Sequence, residues 1–264
     1  MKRVIGYTEG EGVGPELFAR VFRELDIPSS VSFKRCSNLM EAVNRAQRGE
    51  IQGLVTGPVH KASLQKLDGQ SYAGQTEFLH AYLGVDEEPP LMVFIGGPFV
   101  LGLATVHLPI SKVSDALTKP LLRAKLHRLL KGSSEYFKKP PQEVRVAILG
   151  LNPHAGESGL LGTEEIEVIE PVVAEFQNSG YRVRGPLSAD GFWLHHQGQY
   201  DAVFSMYHDQ GLGPYKLLAA GKAANVTWGL RIPRTSPAHG TADELVGTGL
   251  ADSGSLETAI RLIV

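Results

Sequence analysis

The composition excludes several classes of protein before any motif is considered. The 264 residues are 42% hydrophobic, which is enough to bury one large core or two modest ones. A formal net charge of −2 argues against a nucleic-acid partner, which usually contacts a strongly basic face. No early apolar run resembles a signal peptide and no later one approaches a membrane-spanning length, so we expect a cytoplasmic protein without membrane contact.

The first predicted elements are a strand and a helix joined by a glycine-rich turn. Residues 3–7 predict a strand, and apolar residues recur with helical spacing over residues 17–25. The turn places glycine at positions 10, 12 and 14, and Pro15 suits the first turn of the helix. This spacing differs from the G-x-G-x-x-G fingerprint of dinucleotide-binding turns, so the turn either contacts substrate or is simply tight.

Two later stretches offer groups that suit an anion. After a predicted strand over residues 51–56, the segment 56–61 combines a hydroxyl, backbone N–H groups and a lysine. A tight turn with a solvated lysine explains that segment equally well. Residues 74–77 open a predicted helix with Thr76 as its N-cap, and helix N-termini are ready anion sites.

The middle of the chain predicts an antiparallel pair of strands in a mostly parallel sheet. The strands over residues 91–95 and 100–106 are joined by Gly96, Gly97 and Pro98, which indicate a tight turn. Thr118 and Pro120 then mark the start of a long helix. Further strands over residues 144–150 and 201–206 predict an α/β fold.

Three predicted core strands each lead directly to a histidine. His107, His154 and His208 follow the strands that end near residues 106, 150 and 206. Ligands of open α/β sheets bind outside the carboxyl ends of strands, and neutral imidazole is a common ligand of divalent transition metals. One such histidine alone more often satisfies a strand-end carbonyl or caps a helix, but three in the same topological position favour a metal site. The spacing leaves open whether the strands are neighbours and whether one chain supplies all three ligands.

Polar residues near the end of the chain extend the candidate site. Lys216 lies eight residues after His208, and we interpret residues 225–227 and 231–236 as two polar loops. Lysine, arginine and nearby hydroxyls together suit a phosphorylated or carboxylated substrate, although such charges are usually just solvated.

Six segments in order resemble the 4-hydroxythreonine-4-phosphate dehydrogenase family of pyridoxal phosphate biosynthesis. The segments are residues 55–61 (VTGPVHK), 74–78 (GQTEF), 105–109 (TVHLP), 151–157 (LNPHAGE), 206–211 (MYHDQG) and 234–236 (RTS). The resemblance implies a two-lobed α/β/α subunit with mixed, mostly parallel sheets, akin to isocitrate and isopropylmalate dehydrogenases. It places a shortened first lobe at residues 1–75 plus 235–264 and a second lobe, carrying metal and dimer contacts, at residues 76–234. It also implies a homodimer whose active site lies between the lobes and whose metal is held by histidines from both subunits.

The same resemblance assigns roles to individual residues. The metal positions fall on His107, His154 and His208, and the metal would be Zn, Mg or Co. The substrate positions fall on Gln75, Thr76, Lys216, Asn225 and Arg234, and the catalytic positions on His208, Asp209 and Lys216. The cofactor, NAD or NADP, would contact Gly12 and Gly14 in the first loop and His239, Gly240 and Thr241 in a later one.

The implied activity is metal-dependent, NAD-linked oxidation of 4-phosphohydroxy-L-threonine to a β-keto acid that decarboxylates, in vitamin B6 synthesis. Two departures from the family stand out: Gln75 replaces a usual histidine, and the chain is shorter than typical members between the first helix and Gly53. The first departure favours, as an alternative, a dehydrogenase of 4-phospho-D-erythronate or 4-phospho-D-threonate. The second motivates an alternative of another class, a non-catalytic ligand-binding homologue.

Overall fold

A computed structural model describes residues 2–195 and 198–264. The strands that it contains are β1 Arg3–Thr8, β2 Val31–Arg35, β3 Gly53–Thr56, β4 Leu91–Ile95, β5 Val100–Leu103, β6 Val146–Leu149, β7 Val183–Leu187, β8 Ala202–Ser205, β9 Ala224–Trp228 and β10 Arg234–Pro237. The α-helices are α1 Gly14–Glu24, α2 Leu39–Gln47, α3 Lys61–Asp68, α4 Gln75–Leu83, α5 Val113–Ala116, α6 Lys119–Phe137, α7 Glu170–Asn178, α8 Ala189–His195, α9 His208–Ala219 and α10 Gly254–Arg261. No helix in these two stretches combines the length and apolar character needed to cross a membrane.

The elements group into two compact units. The first unit comprises the residues up to Pro90 together with Ala220–Val264, and the second unit comprises Leu91–Ala219. These divisions differ from the lobe boundaries expected at residues 75/76 and 234/235. The difference arises because α4 packs against α2, and β9 pairs with β10, within the first unit.

The first unit is a five-stranded sheet, over the residues described, with helices on both faces. Its strand order is β2-β1-β3-β10-β9, and every neighbouring pair is parallel except β10 with β9. α1 and α10 pack on the face that carries Ile5 and Val55, while α2 and α4 pack on the face that carries Leu54. Because strand residues alternate between faces, this arrangement decides which polar residues point toward α4.

The second unit has the order β4-β5-β8-β6-β7. β4 and β5 are antiparallel, as the turn between them predicted, and the remaining pairs are parallel. A Cβ added to Gly102 would lie 3.0 Å from Leu129 of α6, and one added to Gly211 of α9 would lie 3.0 Å from Leu101. Since Leu101 and Gly102 are consecutive, α6 and α9 cover opposite faces. The mixed, mostly parallel α/β architecture is therefore confirmed.

Local chemistry explains where the helices start. The Thr118 side chain accepts a hydrogen bond from the Leu121 N–H at 3.3 Å, which caps α6 as the sequence predicted. The prediction that Thr76 caps α4 is wrong, because the N-cap is Gly74 and Thr76 lies buried inside the first turn.

The interpretation of residues 225–227 and 231–236 as polar loops is also wrong over most of its length. β9 and β10 occupy these segments and pair in register, with Thr227 opposite Arg234 and Asn225 opposite Ser236. Polar residues can lie in a buried strand when hydrogen bonds satisfy them, and Arg234 and Thr227 bond to each other.

Candidate functional site

The three strand-end histidines follow neighbouring strands of the second unit. β8 lies between β5 and β6 and is parallel to both, so the carboxyl ends of these strands meet at one edge of the sheet. His107 follows β5, His154 follows β6, and His208 is the first residue of α9 after β8. The sequence spacing did not show whether the three strands are neighbours. The structure shows that they are adjacent within one chain.

His107 and His208 form a close pair. Their ring centroids are 5.9 Å apart with an angle of 39° between the planes. Two imidazoles that bind one ion at about 2.1 Å place their ring centroids roughly 5 to 6 Å apart, so the pair fits a shared metal ion. The rings border a cavity of about 110 Å³ that Thr105, Tyr207 and Asp209 also line.

Asp209 orients the His208 ring. Its Oδ1 lies 2.7 Å from His208 Nδ1, and an Nδ1–H that donates to this carboxylate leaves the Nε2 lone pair available. A carboxylate behind a histidine is the usual arrangement that fixes the orientation and tautomer of a metal ligand. The donor set therefore suits a divalent ion that accepts imidazole nitrogen.

His154 does not join this pair. Among residues 2–195 and 198–264, no three His, Cys, Asp or Glu side chains come close enough to hold one metal ion. His154 instead lies near Asp190, whose pKa is lowered mainly by a hydrogen bond from Ser188 and by the Gly191 N–H, with a smaller contribution from His154. One chain therefore brings two of the candidate ligands close together and places the third, His154, elsewhere along the same sheet edge.

The backbone around two of these histidines has an unusual conformation. His107 has φ 51° and His154 has φ 54°, both in the left-handed region that residues with a Cβ rarely adopt. The left-handed run continues through Ala155, Glu157 and Ser158. Such a conformation costs about 1–2 kcal/mol per residue and concentrates at functional sites, so the observed strain supports a role for both loops.

Arg234 is the centre of a second polar cluster, in the first unit. Its side chain is 2% exposed, and its N–H groups donate to the hydroxyls of Thr56 and Thr227. The shortest of these bonds joins Nη2 to Thr56 Oγ1 at 2.6 Å. Nη2 also donates to Gln75 Oε1 at 3.1 Å. All three hydrogen-bond partners are neutral, so hydrogen bonds orient the guanidinium without an ion pair.

A buried arginine with neutral partners retains positive charge that a ligand can neutralise. Burial lowers the pKa of Arg234 to about 10, while the charge of Glu77 acts in the opposite direction. Among the described residues, no salt bridge joins a carboxylate to Arg234. Asn225, on the strand beside it, has a buried Oδ1 without a hydrogen-bond partner among those residues. A cation and an unsatisfied amide on adjacent strands are suited to an anionic, hydrogen-bonding ligand.

The polar ends of Gln75 both bind the protein. Its Oε1 accepts from Arg234, and its Nε2 donates to the Gly57 carbonyl at 2.9 Å. The neighbouring Thr76 is buried at 3% exposure. The sequence predicted that Gln75 contacts the substrate. In the structure, both polar ends of its side chain instead contact the protein, at Arg234 and at the Gly57 carbonyl that follows β3. The side chain of Lys61, which completed the predicted anion loop, lies outside the described residues.

Lys216 lies on α9 of the second unit, seven residues after Asp209. Desolvation lowers the pKa of its ammonium group, and the Asp209 carboxylate opposes that shift. Seven residues are close to two helical turns, so the two side chains emerge on the same face of α9. A lysine of lowered pKa near a candidate metal ligand can exchange a proton more readily than an ordinary surface lysine.

The two predicted cofactor loops contact each other within the first unit. The Val13 N–H donates to the Thr241 carbonyl at 2.9 Å, and a Cβ at Gly12 would approach that oxygen to 2.0 Å. A Cβ at Gly14 would approach the Glu9 carbonyl equally closely. These glycines are thus required by close packing of the loops, whatever they bind.

The later loop carries one unsatisfied group. His239 Nδ1 lies 2.9 Å from the Gly240 carbonyl, while its buried Nε2 has no hydrogen-bond partner in the described part of the chain. A Cβ added to Gly240 would meet nothing within 4 Å, so this position is open.

Thr227 is a site residue that the sequence placed in a loop. The signal that could have located it is the alternation of residues 224–228, in which Asn225 and Thr227 share one face of a strand. Because the partner strand places Arg234 opposite Thr227, the threonine hydroxyl becomes part of the arginine's environment.

Structural comparison defines the class of fold first. The isocitrate dehydrogenase of Methylococcus capsulatus is 13% identical and superposes with a TM-score of 0.53, covering 99% of this chain and 84% of that one. The 4-hydroxythreonine-4-phosphate dehydrogenase of Klebsiella pneumoniae is 28% identical, with a TM-score of 0.76 over 100% of this chain and 97% of that one. The fold is therefore that of the two-unit α/β dehydrogenases.

Residues 30–263 match the family described as pyridoxal phosphate biosynthetic protein PdxA. The 4-hydroxythreonine-4-phosphate dehydrogenase of Marinobacter nauticus is 46% identical over 215 residues, which is 81% of this chain and 62% of the relative. That of Aromatoleum aromaticum is 44% identical over 225 residues, or 85% of this chain and 68% of the relative. The chain thus belongs to the PdxA family and matches about two thirds of the length of these relatives.

Proposed function

We propose that this chain is a metal-dependent dehydrogenase that oxidises the secondary alcohol of 4-phosphohydroxy-L-threonine with NAD as hydride acceptor. The observation that carries the proposal is the delivery of His107, His208 and His154 to one sheet edge by three adjacent parallel strands. Relatives of the same family carry the name 4-hydroxythreonine-4-phosphate dehydrogenase.

The histidines would hold a divalent ion, with Zn, Mg and Co as the candidates. When bound, such an ion supplies Lewis acidity that lowers the pKa of a substrate hydroxyl and stabilises the oxygen as it loses its proton. Asp209 keeps the His208 ring oriented through the 2.7 Å contact with Nδ1. Imidazole ligands favour Zn or Co over Mg, which prefers oxygen.

Lys216 is the candidate proton acceptor. Its lowered pKa makes the neutral amine easier to form than that of an ordinary lysine, so its Nζ can accept the proton of the substrate hydroxyl. A bound nicotinamide would supply the hydride acceptor. The β-keto acid formed by this oxidation then loses carbon dioxide. In its protonated form, Lys216 would instead bind a phosphate or carboxylate.

Arg234, Asn225 and Thr76 are the candidate anion-binding residues, and Thr76 follows Gln75, whose side chain contacts Arg234. The buried guanidinium has neutral partners only, so a substrate phosphate or carboxylate would supply the missing counter-charge. The Asn225 Oδ1, which is unpartnered among the described residues, can accept a hydrogen bond from a substrate hydroxyl or amine. The two residues would therefore fix both the charge and the orientation of the ligand.

The cofactor is proposed to bind the loops that carry Gly12, Gly14, His239, Gly240 and Thr241. Support comes from the direct contact between the two loops and from the unpartnered His239 Nε2, within the described residues. An assay with NAD and NADP in parallel determines which of the two cofactors the chain uses.

A homodimer is proposed to complete the metal site, since one chain brings together only two of the three histidines among the residues described. Exposed apolar side chains follow both histidine loops. Ile110 after His107 is 70% exposed, and Leu160 after His154 is 78% exposed. A second copy of the chain that supplies the third ligand would cover these two exposed side chains.

A second substrate class is favoured by Gln75. A neutral amide whose two ends bind Arg234 and Gly57 cannot offer the titratable ring that the family usually has at this position. A 4-phosphorylated sugar acid without an amino group, 4-phospho-D-erythronate or 4-phospho-D-threonate, is therefore the alternative substrate.

The test follows NADH absorbance with purified chain, a divalent metal, and either NAD or NADP. Three substrates are assayed in parallel: 4-phosphohydroxy-L-threonine, 4-phospho-D-erythronate and 4-phospho-D-threonate. Reduction with the first substrate supports the proposal, and reduction only with the others assigns the alternative. No reduction with any substrate, in a protein that binds metal, would overturn the proposed activity and favour a binding role.

A further inference from the structure

The carboxylate of Glu165 accepts hydrogen bonds from the loop that carries His154. Glu165 is 1% exposed and lies in a π-helical turn ahead of α7. Its Oε1 accepts the backbone N–H groups of Leu151 and Asn152 at 2.7 and 2.8 Å. Its Oε2 accepts the Asn152 side-chain amide at 2.9 Å. One buried carboxylate thus satisfies three donors immediately before His154.

The glycines of the loop allow this approach. A Cβ at Gly150 would lie 3.0 Å from Glu165 Oε1, and a Cβ at Gly156 would lie 2.7 Å from Oε2. Gly150 precedes the left-handed run and Gly156 lies within it. The carboxylate therefore fills the space inside the loop, and no larger residue fits at either position without displacing it.

The loop needs such a support because its backbone is unfavourable by itself. His154, Ala155, Glu157 and Ser158 all have φ between 43° and 57°, and only Gly156 in the run is free of the steric penalty. A run of this kind persists when surrounding groups determine it. Backbone hydrogen bonds also hold the run: Ala155 N–H donates to the Asn152 carbonyl, Leu160 N–H to the Glu157 carbonyl and Leu161 N–H to the Gly156 carbonyl.

We propose that Glu165 is a positioning residue for the metal site: its carboxylate fixes the Leu151–Asn152 backbone and thereby keeps the left-handed turn that presents the His154 imidazole. The inference depends on the proposed function only in taking His154 as a metal ligand. Glu165 itself would not touch metal, cofactor or substrate.

Glu165→Gln is the informative substitution because it retains the size of the side chain. The amide keeps one oxygen for the backbone N–H groups but places an NH₂ opposite the Asn152 amide nitrogen. Asn152 could turn its own oxygen toward that NH₂, yet its Nδ2 would then leave Glu164 Oε2, which it now contacts at 2.7 Å. The variant must therefore lose one bond that holds the loop.

Glu164→Gln is the matched control. Glu164 is adjacent in sequence, and it also contacts Asn152 and accepts a bond from the Ser114 hydroxyl, but the backbone N–H groups of Leu151 and Asn152 donate to Glu165 instead. A residue that merely contributes charge near the site would act the same way from either position. If the role of the carboxylate is to position the backbone, only the substitution at position 165 should weaken metal binding.

The experiment measures Co²⁺ affinity by calorimetry for the full chain and three variants, Glu165→Gln, Glu164→Gln and His154→Ala. We expect Glu165→Gln to weaken Co²⁺ binding roughly 10- to 100-fold, the range seen when outer partners of metal ligands are changed. Glu164→Gln should change affinity by less than about 3-fold, since it leaves the backbone bonds in place. Hydrogen exchange of the Leu151 and Asn152 amides in metal-free protein should accelerate only in Glu165→Gln.

A rescue separates positioning from general destabilisation. Glycine adopts the left-handed conformation without penalty, so Ala155→Gly added to Glu165→Gln should restore part of the lost affinity. If His154→Ala binds Co²⁺ as the unchanged chain does, the proposed metal ligand is wrong. If His154→Ala weakens binding but Glu165→Gln matches Glu164→Gln, or if Ala155→Gly gives no rescue, the positioning role is wrong.

Discussion

Two buried charges, one in each unit, show how different environments imply different roles. Asp201, in the second unit, has a 12% exposed side chain and contacts Lys139 at 2.6 Å and Arg145 at 3.1 Å. Arg234, in the first unit, is more deeply buried and contacts only hydroxyls and an amide. The first charge is neutralised by the fold itself, and the second is oriented but not neutralised.

This difference supports the proposal that Arg234 binds the substrate, whereas the paired Asp201 contributes to stability. A buried charge with a good partner contributes to the folded state, because breaking the pair leaves the other charge uncompensated. A buried charge whose hydrogen-bond partners are all neutral can form an ion pair with a bound anion, which is typical of functional sites. Substitution of each residue should therefore change a different measured quantity.

The largest expected effect follows Arg234→Lys. Lysine keeps the charge but loses the planar set of donors that reaches Thr56, Thr227 and Gln75. We expect KM for the phosphorylated substrate to rise about 100-fold, with a much smaller change in kcat, measured by steady-state NADH formation.

Arg231→Lys is the control for that substitution. Arg231 is an exposed arginine of the first unit whose Nε donates to the Gly84 carbonyl. Its replacement should leave KM within about 2-fold of the original value. An equal rise in KM for both variants would show that Arg234 has no special role in binding.

Asp201→Asn should change stability and leave KM unaltered. Desolvation alone would raise the pKa of Asp201, but hydrogen bonds from Arg145 and Lys139 outweigh it and lower the pKa to about 2. Because the folded pKa lies below the ordinary value of 3.8, the stabilisation is complete above that value and is lost as pH falls toward 2.

We therefore expect Asp201→Asn to lower the free energy of unfolding by about 1–2 kcal/mol at pH 7. The difference from the unchanged chain should shrink as the pH of urea titrations is lowered below 4. Asp115→Asn, which removes an exposed ion pair with Lys112, should cost less than about 0.5 kcal/mol. A loss of stability after Asp201→Asn that does not vary with pH would argue against the ion pair as its source.

The smallest expected effect follows Gln75→His, which introduces the residue usual in the family. The imidazole would break the bonds to Arg234 and Gly57 but offer a titratable ring to substrate. We expect the ratio of kcat/KM between 4-phosphohydroxy-L-threonine and the two sugar acids to rise about 5-fold. An unchanged ratio would exclude position 75 from substrate selection.

The sequence predicted the strand-end positions of the three histidines better than it predicted the surroundings of Arg234. His107, His154 and His208 each follow an apolar strand, and the composition of those strands is visible without a structure. The antiparallel pair β4 and β5 was predicted from the turn at Gly96 to Pro98 in the same way. Both predictions rest on local sequence patterns, and the chain adopts the local structure that those patterns predict.

The environment of Arg234 depends on strand pairing, which local patterns do not reveal. Asn225 and Thr227 lie in a strand and not in a loop because their segment, β9, pairs with β10. The left-handed turn at His154 was equally hidden, since Ala155 and Ser158 carry no sequence signal for positive φ. Tertiary contacts, rather than residue propensities, set these features.

The most direct test of the account is complementation between His107→Ala and His154→Ala. If each metal site takes His107 and His208 from one chain and its third histidine from a second copy, both variants should be inactive alone. After unfolding and refolding of an equal mixture, half of the dimers are mixed and each contains one intact site, so about a quarter of the original NADH-forming activity should return. No recovery from mixed dimers verified by mass spectrometry would contradict the shared metal site.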